Sequence, residues 1–95
     1  MNENILNSQW IPTKVRSPDK DGYYLVTIKG LGTNNDYIHI YKFTKDLNKV
    51  NRDDFRVKKG TSGWYSYDSE YGYYSVNGVT AWMPLPEVYK ENENG

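Results

Sequence analysis

The chain has 95 residues, enough for one domain with a modest core and too few for two. Its formal net charge is +0, it has no cysteine and it has a single histidine. These exclude a disulfide framework, a thiol nucleophile and a thiolate metal site, and they argue against a general electrostatic partner such as nucleic acid or an anionic membrane. Aliphatic residues are few, but aromatics reach 16%. Rings that bury about 150–250 Å² each can replace them, which points to an ordered domain.

Residues 1–9 read as a polar N-terminal tail, and a single domain is expected over 10–88. Met1 to Gln9 has neither the basic start nor the apolar run of a secretory signal. No run approaches the roughly 18 apolar residues of a membrane-spanning helix, so the expected location is cytoplasmic. Pro12 and Pro18 push their preceding residues to extended conformations, and Trp10 to Ser17 reads as extended or irregular coil. Pro18-Asp19-Lys20-Asp21-Gly22 has turn chemistry. It leads into a strand, Tyr23 to Lys29, with Tyr24, Val26 and Ile28 facing the core.

Gly30 to Asn35 is a loop. Its bare Gly30-Leu31-Gly32 lacks the third glycine and following helix of a dinucleotide fingerprint. A second strand, Tyr37 to Phe43, antiparallel to the first, has faces Ile38/Ile40 and Tyr37/His39/Tyr41/Phe43. Lys45 to Gly60 is ambiguous: Leu47 and Val50 have helical spacing, so at most one short helix is expected around 45–54, and Phe55-Arg56-Val57 fits a brief strand. Trp64 to Tyr67 is a third strand and Asp68 to Gly72 its turn.

Asn77-Gly78 then sits between two β-prone runs, and Asn-Gly is the preferred filling of a two-residue hairpin loop. The register implied pairs Val76 with Val79, Tyr74 with Ala81 and Tyr73 with Trp82. It turns Val79, Ala81 and Met83 to the core. Pro84 and Pro86 end the strand, and residues 89–95 read as a disordered tail. The fold class expected is mainly β, with a small helical share allowed: one antiparallel sheet of four to five strands with a C-terminal Asn-Gly hairpin. Trp10-Ile11-Pro12 and Trp82-Met83-Pro84 echo each other, and the two ends of the ordered region are expected to meet with their indoles packed together.

Two pieces resemble a known family. Trp10-Ile11-Pro12, followed by Pro18-Asp19-Lys20-Asp21-Gly22 and a Tyr-Leu-Val strand, is similar to the opening of the DUF551 domain, found widely in phages and prophages. Val79-Thr80-Ala81-Trp82-Met83-Pro84-Leu85-Pro86-Glu87 resembles its closing motif, usually V-T-H-W-M-P-L-P-E-P-P. Ala81 stands where that motif has histidine. Of the usual V-S-E-R-L-P of the opening, only Arg16 and Pro18 survive. The resemblance implies a small bacteriophage accessory protein within a host bacterium. It implies no chemistry, since the family is one of unknown function.

The residues offer little to a catalyst. His39 lies between two isoleucines on a strand, with no partner that would make it a general base. Asp53-Asp54 and Asp68/Glu70 lack the alternating oxygens and central glycine of a calcium loop, and read as turn chemistry. No catalytic residue, metal ligand or cofactor is assigned.

Two features stand out. Lys45 to Gly60 holds six basic and three acidic side chains, a net +3, while Thr61 to the end has five acidic and one basic, a net −4. The chain is therefore dipolar. A cluster of Tyr65, Tyr67, Tyr71, Tyr73 and Tyr74 with Trp64 cannot all share one face of a strand pair. Either rings cover both faces of a thin sheet, or some form a binding surface. The candidate binding residues are Arg52, Arg56, Lys58, Lys59, Trp64, Tyr65, Tyr67, Tyr71 and Tyr73. The expected function is a non-catalytic protein-interaction module, for instance one that inhibits a host enzyme or defence component, with a host or phage protein as partner. A small-ligand or nucleotide binder and a single-stranded nucleic-acid binder are the alternatives; neutral charge disfavours the last. No membrane association is expected, and a homodimer through an aromatic face is compatible with the sequence.

Overall fold

A computed structural model of the protein describes residues 9–91. Most of the polar N-terminal tail and residues 92–95 of the C-terminal tail lie outside the described residues. The strands are β1 (Ile11–Pro12), β2 (Gly22–Ile28), β3 (Tyr37–Thr44), β4 (Gly63–Asp68), β5 (Gly72–Val76) and β6 (Val79–Pro84). Two one-turn helices, α1 (Leu47–Val50) and α2 (Arg52–Phe55), separate β3 from β4. The protein is mainly β: one antiparallel open sheet in the order β1-β6-β2-β3-β4-β5.

The sheet has six strands, more than the four or five expected, because Ile11-Pro12 pairs with β6 as a short extra strand. The helical section is split at Asn51, whose extended backbone (φ −162°) ends α1 while its side chain caps α2 by accepting from the Asp54 N–H at 3.0 Å. Asp46 caps α1 in the same way, and its Oδ1 also accepts from the Gly60 N–H. Phe55 and Arg56 belong to the second helix and its cap, not to a strand.

The Asn77-Gly78 hairpin does not form. β5 pairs with β4 alone, and β6 pairs with β1 and β2. Four inter-strand steps separate β5 from β6, about 19 Å in a flat sheet. The two linking residues reach at most about 11 Å from Val76 to Val79. The sheet must therefore curl, bringing the end of β5 back over its inner face. Val76 and Val79 both pack on the one core cluster of Val26, Ile28, Phe43, Trp64 and Trp82. Gly78 keeps its positive φ (86°), but its carbonyl accepts from the Lys29 N–H at 2.9 Å, so the turn serves β2. Local turn chemistry was satisfied; long-range pairing chose a different neighbour.

The same change of partner reverses the faces expected for β6. Trp82 is buried, opposite Val26, while Ala81 and Met83 oppose Thr27 and Leu25 on the outer face. A bulge supplies the shift: Ile28 opposes Val79, Thr27 opposes Ala81, and Thr80 is the extra residue. The Thr80 hydroxyl donates to the Thr27 carbonyl across the bulge. For β2 the expectation holds: Val26 and Ile28 are buried and Tyr24 packs against them.

The two ends of the ordered region do meet, but without stacked indoles. Ile11, not Trp10, opposes Trp82. The Trp82 ring takes Tyr24 at its edge (centroids 5.2 Å apart) and the Arg16 guanidinium over its face (5.3 Å). Its Nε1–H donates to the Arg16 carbonyl at 3.0 Å.

Candidate binding surface

Strand alternation sends Trp64 inward, onto Phe43 and Tyr24, and Tyr65 outward. Both are nonetheless buried. Tyr65 is covered because α2 folds back over the outer face: Phe55 meets the Tyr65 ring at 5.9 Å and the Tyr73 ring at 6.2 Å. Asp54, one residue before Phe55, accepts from the Tyr73 N–H at 3.0 Å and pins α2 to the free edge of β5. A side chain at Gly72 would strike that carboxylate, and its φ of 86° suits glycine alone. At the other end of the excursion Leu47 is buried against Gly63, where a Cβ would lie 2.9 Å from a Leu47 methyl.

The outer face thus carries a layer of rings. Tyr67 opposes Tyr73 across β4 and β5, with centroids 4.9 Å apart. On the neighbouring strands the Lys42 ammonium sits 5.0 Å from the Tyr23 ring centre, a cation–π distance. β4 leaves β3 after Tyr65, and a cleft of about 330 Å³ opens there, lined by Tyr23, Ile40, Lys42, Tyr65, Tyr67 and Tyr73. Tyr23 and Tyr67 are each 60% exposed. The alternation that buries Val26 and Trp64 turns both rings to solvent.

Of the nine residues singled out from the sequence, the structure brings three to the cleft: Tyr65, Tyr67 and Tyr73. Arg52 and Arg56 are exposed at the two ends of the helix whose Phe55 covers Tyr65 and Tyr73. Tyr65 serves as the floor of the cleft. Trp64 is removed from the set, because it lies in the core on the other face. Tyr71 is exposed at the tip of the β4–β5 turn, where the Asp68 carboxylate accepts from the Glu70 and Tyr71 N–H groups. Lys58 and Lys59 are exposed on the loop that follows α2. Arg56 holds a left-handed backbone (φ 52°), uncommon for a side chain this large, and its Nε–H donates to the Asp53 carbonyl.

Sequence reasoning missed Tyr23, Lys42 and Ile40 as members of the surface. Their strand periodicity was visible; that β4 would dock beside Lys42 and then diverge was not. It also passed over a second cleft, of about 650 Å³, between the Gly30–Asn35 loop and Asn77-Gly78, lined among others by Ile28, Lys29, Leu31 and Tyr37. Gly30 makes that loop fold tightly: an added Cβ would run into the Asn34 and Asn35 carbonyls, and its N–H donates to Asp36 at 2.9 Å.

His39 is exposed on the inner face, stacked on Tyr41 at 4.4 Å, with its Nδ1 accepting from the Ile40 N–H. Burial, with the Tyr74 and Tyr37 hydroxyls nearby, pushes the Tyr41 phenol above the ordinary tyrosine value. Among the described residues no group of three or more His, Asp or Glu side chains is placed to hold a metal, and no helix is long and apolar enough to cross a membrane.

The fold and surface define a small curled antiparallel sheet whose inner face holds the core and whose outer face is open and aromatic. The chain belongs to the DUF551 family, a family of unknown function, whose model matches residues 9–88. No curated protein and no solved structure matches the chain. Ala81, at the histidine position of the family's closing motif, lies on the outer face opposite Thr27.

Proposed function

We propose that the protein is a non-catalytic interaction module that docks a partner protein against the outer-face rings, in the setting of a phage or prophage accessory protein acting on a host enzyme or defence component. The observation that carries this reading is the exposed ring pair of Tyr23 and Tyr67 around the β3–β4 cleft, with Arg52 and Arg56 exposed at the ends of the helix that covers Tyr65. Tyr and Arg are the side chains enriched where protein surfaces bind, because they bring large contact area and directed hydrogen bonds. Tyr67 is held in place by Tyr73, and Tyr23 by Lys42, so little side-chain freedom is lost on docking. Excess positive charge on the Lys45–Gly60 excursion favours a partner with an acidic patch.

The test is an affinity capture from lysate of a bacterial host, comparing the wild-type chain with a Tyr23→Ala/Tyr67→Ala double variant. Both rings stand outside the core, so the variant should melt within about 1 kcal/mol of the wild type. The expected result is a reproducible partner recovered by the wild type and lost by the variant. A partner retained equally by both, or no reproducible partner, overturns the reading.

A further inference from the structure

The formal edges of this sheet are blunted, and one stretch inside it is not. β1 is two residues long and contains a proline, and β5 has its Tyr73 N–H taken by Asp54 from α2. Both are ordinary devices against unwanted strand pairing. β3 differs. It pairs with β2 over Tyr37–Phe43 but with β4 only at Lys42–Thr44. Residues 37–41 therefore have a free side, and Tyr37, Ile38, His39 and Ile40 are all exposed, with Ile38 at 62% and Ile40 at 48%.

Alternation along the ladder fixes which backbone groups look out of that side. The Thr13 N–H donates to the Thr80 carbonyl, and the Lys29 N–H to Gly78. Carried across β6 and β2, this directs the backbone groups of Tyr37, His39 and Tyr41 to β2, and those of Ile38, Ile40 and Lys42 away from it. Lys42 meets β4. Ile38 and Ile40 meet no strand, and the Ile40 N–H is held at 2.9 Å by the adjacent His39 ring.

The free segment reads Tyr37-Ile38-His39-Ile40-Tyr41, the same in both directions. We propose that this edge pairs with the same edge of a second copy of the chain, antiparallel about a two-fold axis at His39. An isologous contact requires a surface that complements itself, and a palindromic strand does so residue by residue. Tyr37 then opposes the partner's Tyr41, Ile38 opposes the partner's Ile40, and His39 opposes its own copy. The hydrogen-bonding phase agrees independently. Each Ile38–Ile40 pair would exchange both backbone hydrogen bonds, because those are the residues whose groups face outward. Charge agrees as well. At the ends of the paired stretch, where β4 already occupies the Lys42 backbone, Asp36 of one copy lies beside the partner's Lys42. No charged residue falls within the five paired positions. This proposal uses the strand edge and not the rings of Tyr23 and Tyr67, and although Ile40 borders both surfaces, Tyr23→Ala/Tyr67→Ala should leave the dimer intact, which keeps the two readings distinguishable.

Sedimentation of the full chain up to millimolar concentration, together with cross-linking, tests it. The wild type should form a concentration-dependent dimer. Ile40→Lys, which puts a charge beside each paired strand, should weaken the dimer about tenfold or more. Ile38→Pro removes an outward N–H that serves no ladder bond, and should do the same should Ile40→Lys fail to fold. The natural absence of cysteine allows a placement test. Residues opposed at a non-hydrogen-bonded site have Cα atoms about 4.5 Å apart, within disulfide range. His39→Cys should therefore give a disulfide-linked dimer on mild oxidation, while Ser75→Cys on exposed β5 should not. A chain that stays monomeric, a dimer unchanged in both edge variants, or cross-linking through Ser75→Cys but not His39→Cys each overturns the proposal.

Discussion

On the inner face of the sheet Val26, Ile28, Phe43, Trp64 and Trp82 touch one another and exclude water. On the outer face of the same strands Tyr23, Ile38, Ile40 and Tyr67 stand in solvent, while Tyr65 is sealed beneath Phe55. The inner face is closed by long-range means: β1 adds to β6, and the curl brings Val76 and Val79 onto one cluster. The outer face is closed by local means, a one-turn helix clipped to the β5 edge through Asp54. A chain this small buries only about two-thirds of the surface its unfolded form exposes. It has concentrated that burial on one side, which leaves the other available for contact with another molecule.

Substitutions on the two faces should separate these roles. The largest effect is expected at Trp82. Trp82→Ala removes a buried indole, its edge contact with Tyr24 and its hydrogen bond to the Arg16 carbonyl. It should cost about 3–5 kcal/mol in a urea melt. A loss below about 1 kcal/mol would mean that the inner face tolerates a cavity and that the contrast between faces is false. Phe55→Ala strikes the outer face where α2 covers it. Phe55 is half-buried and packs on two rings that have other support, so about 1–2 kcal/mol is expected. The sharper readout is hydrogen exchange at the Tyr73 amide, which should speed up as α2 loosens. Unchanged exchange would show that Asp54 alone holds the helix.

What was legible in the sequence follows the same division. β2, β3 and β4 announce themselves through period-two runs bounded by turn residues, and their own residues suffice to place them. The Trp10 and Trp82 ends were matched because the same tripeptide pattern recurs. The errors share one cause. Asn77-Gly78 carries a strong local hairpin signal, but a two-residue loop cannot tell whether the strands it joins will pair with each other or with strands distant in sequence. Tertiary pairing decided that, and the bulge at Thr80 then inverted the parity on which the face assignment rested. That Trp64 goes to the core was hidden for a related reason: a run of rings shows that two faces are served, not which ring goes to which. Tyr65, Tyr67 and Tyr73 do come together, because residues facing each other across one hairpin cannot stray far apart.

Tyr41, at the rim of the inner face, provides the smallest predicted effect. It is half-buried at the point where the inner face opens toward solvent beside Tyr37 and Tyr74. Burial first, and then repulsion from the neighbouring phenolates, disfavours its charged form and raises its pKa above the 10.0 of an ordinary tyrosine. The folded chain therefore holds the proton after the unfolded chain has released it. The stability contributed is fully present below pH 10 and is lost as pH rises through the raised folded value. Denaturant melts between pH 9 and 12 should show stability falling with pH, and Tyr41→Phe should make that fall shallower while leaving neutral-pH stability within about 1 kcal/mol. An identical slope in wild type and variant would mean that Tyr41 is as well solvated as an outer-face ring, and that the core of the inner face ends before it.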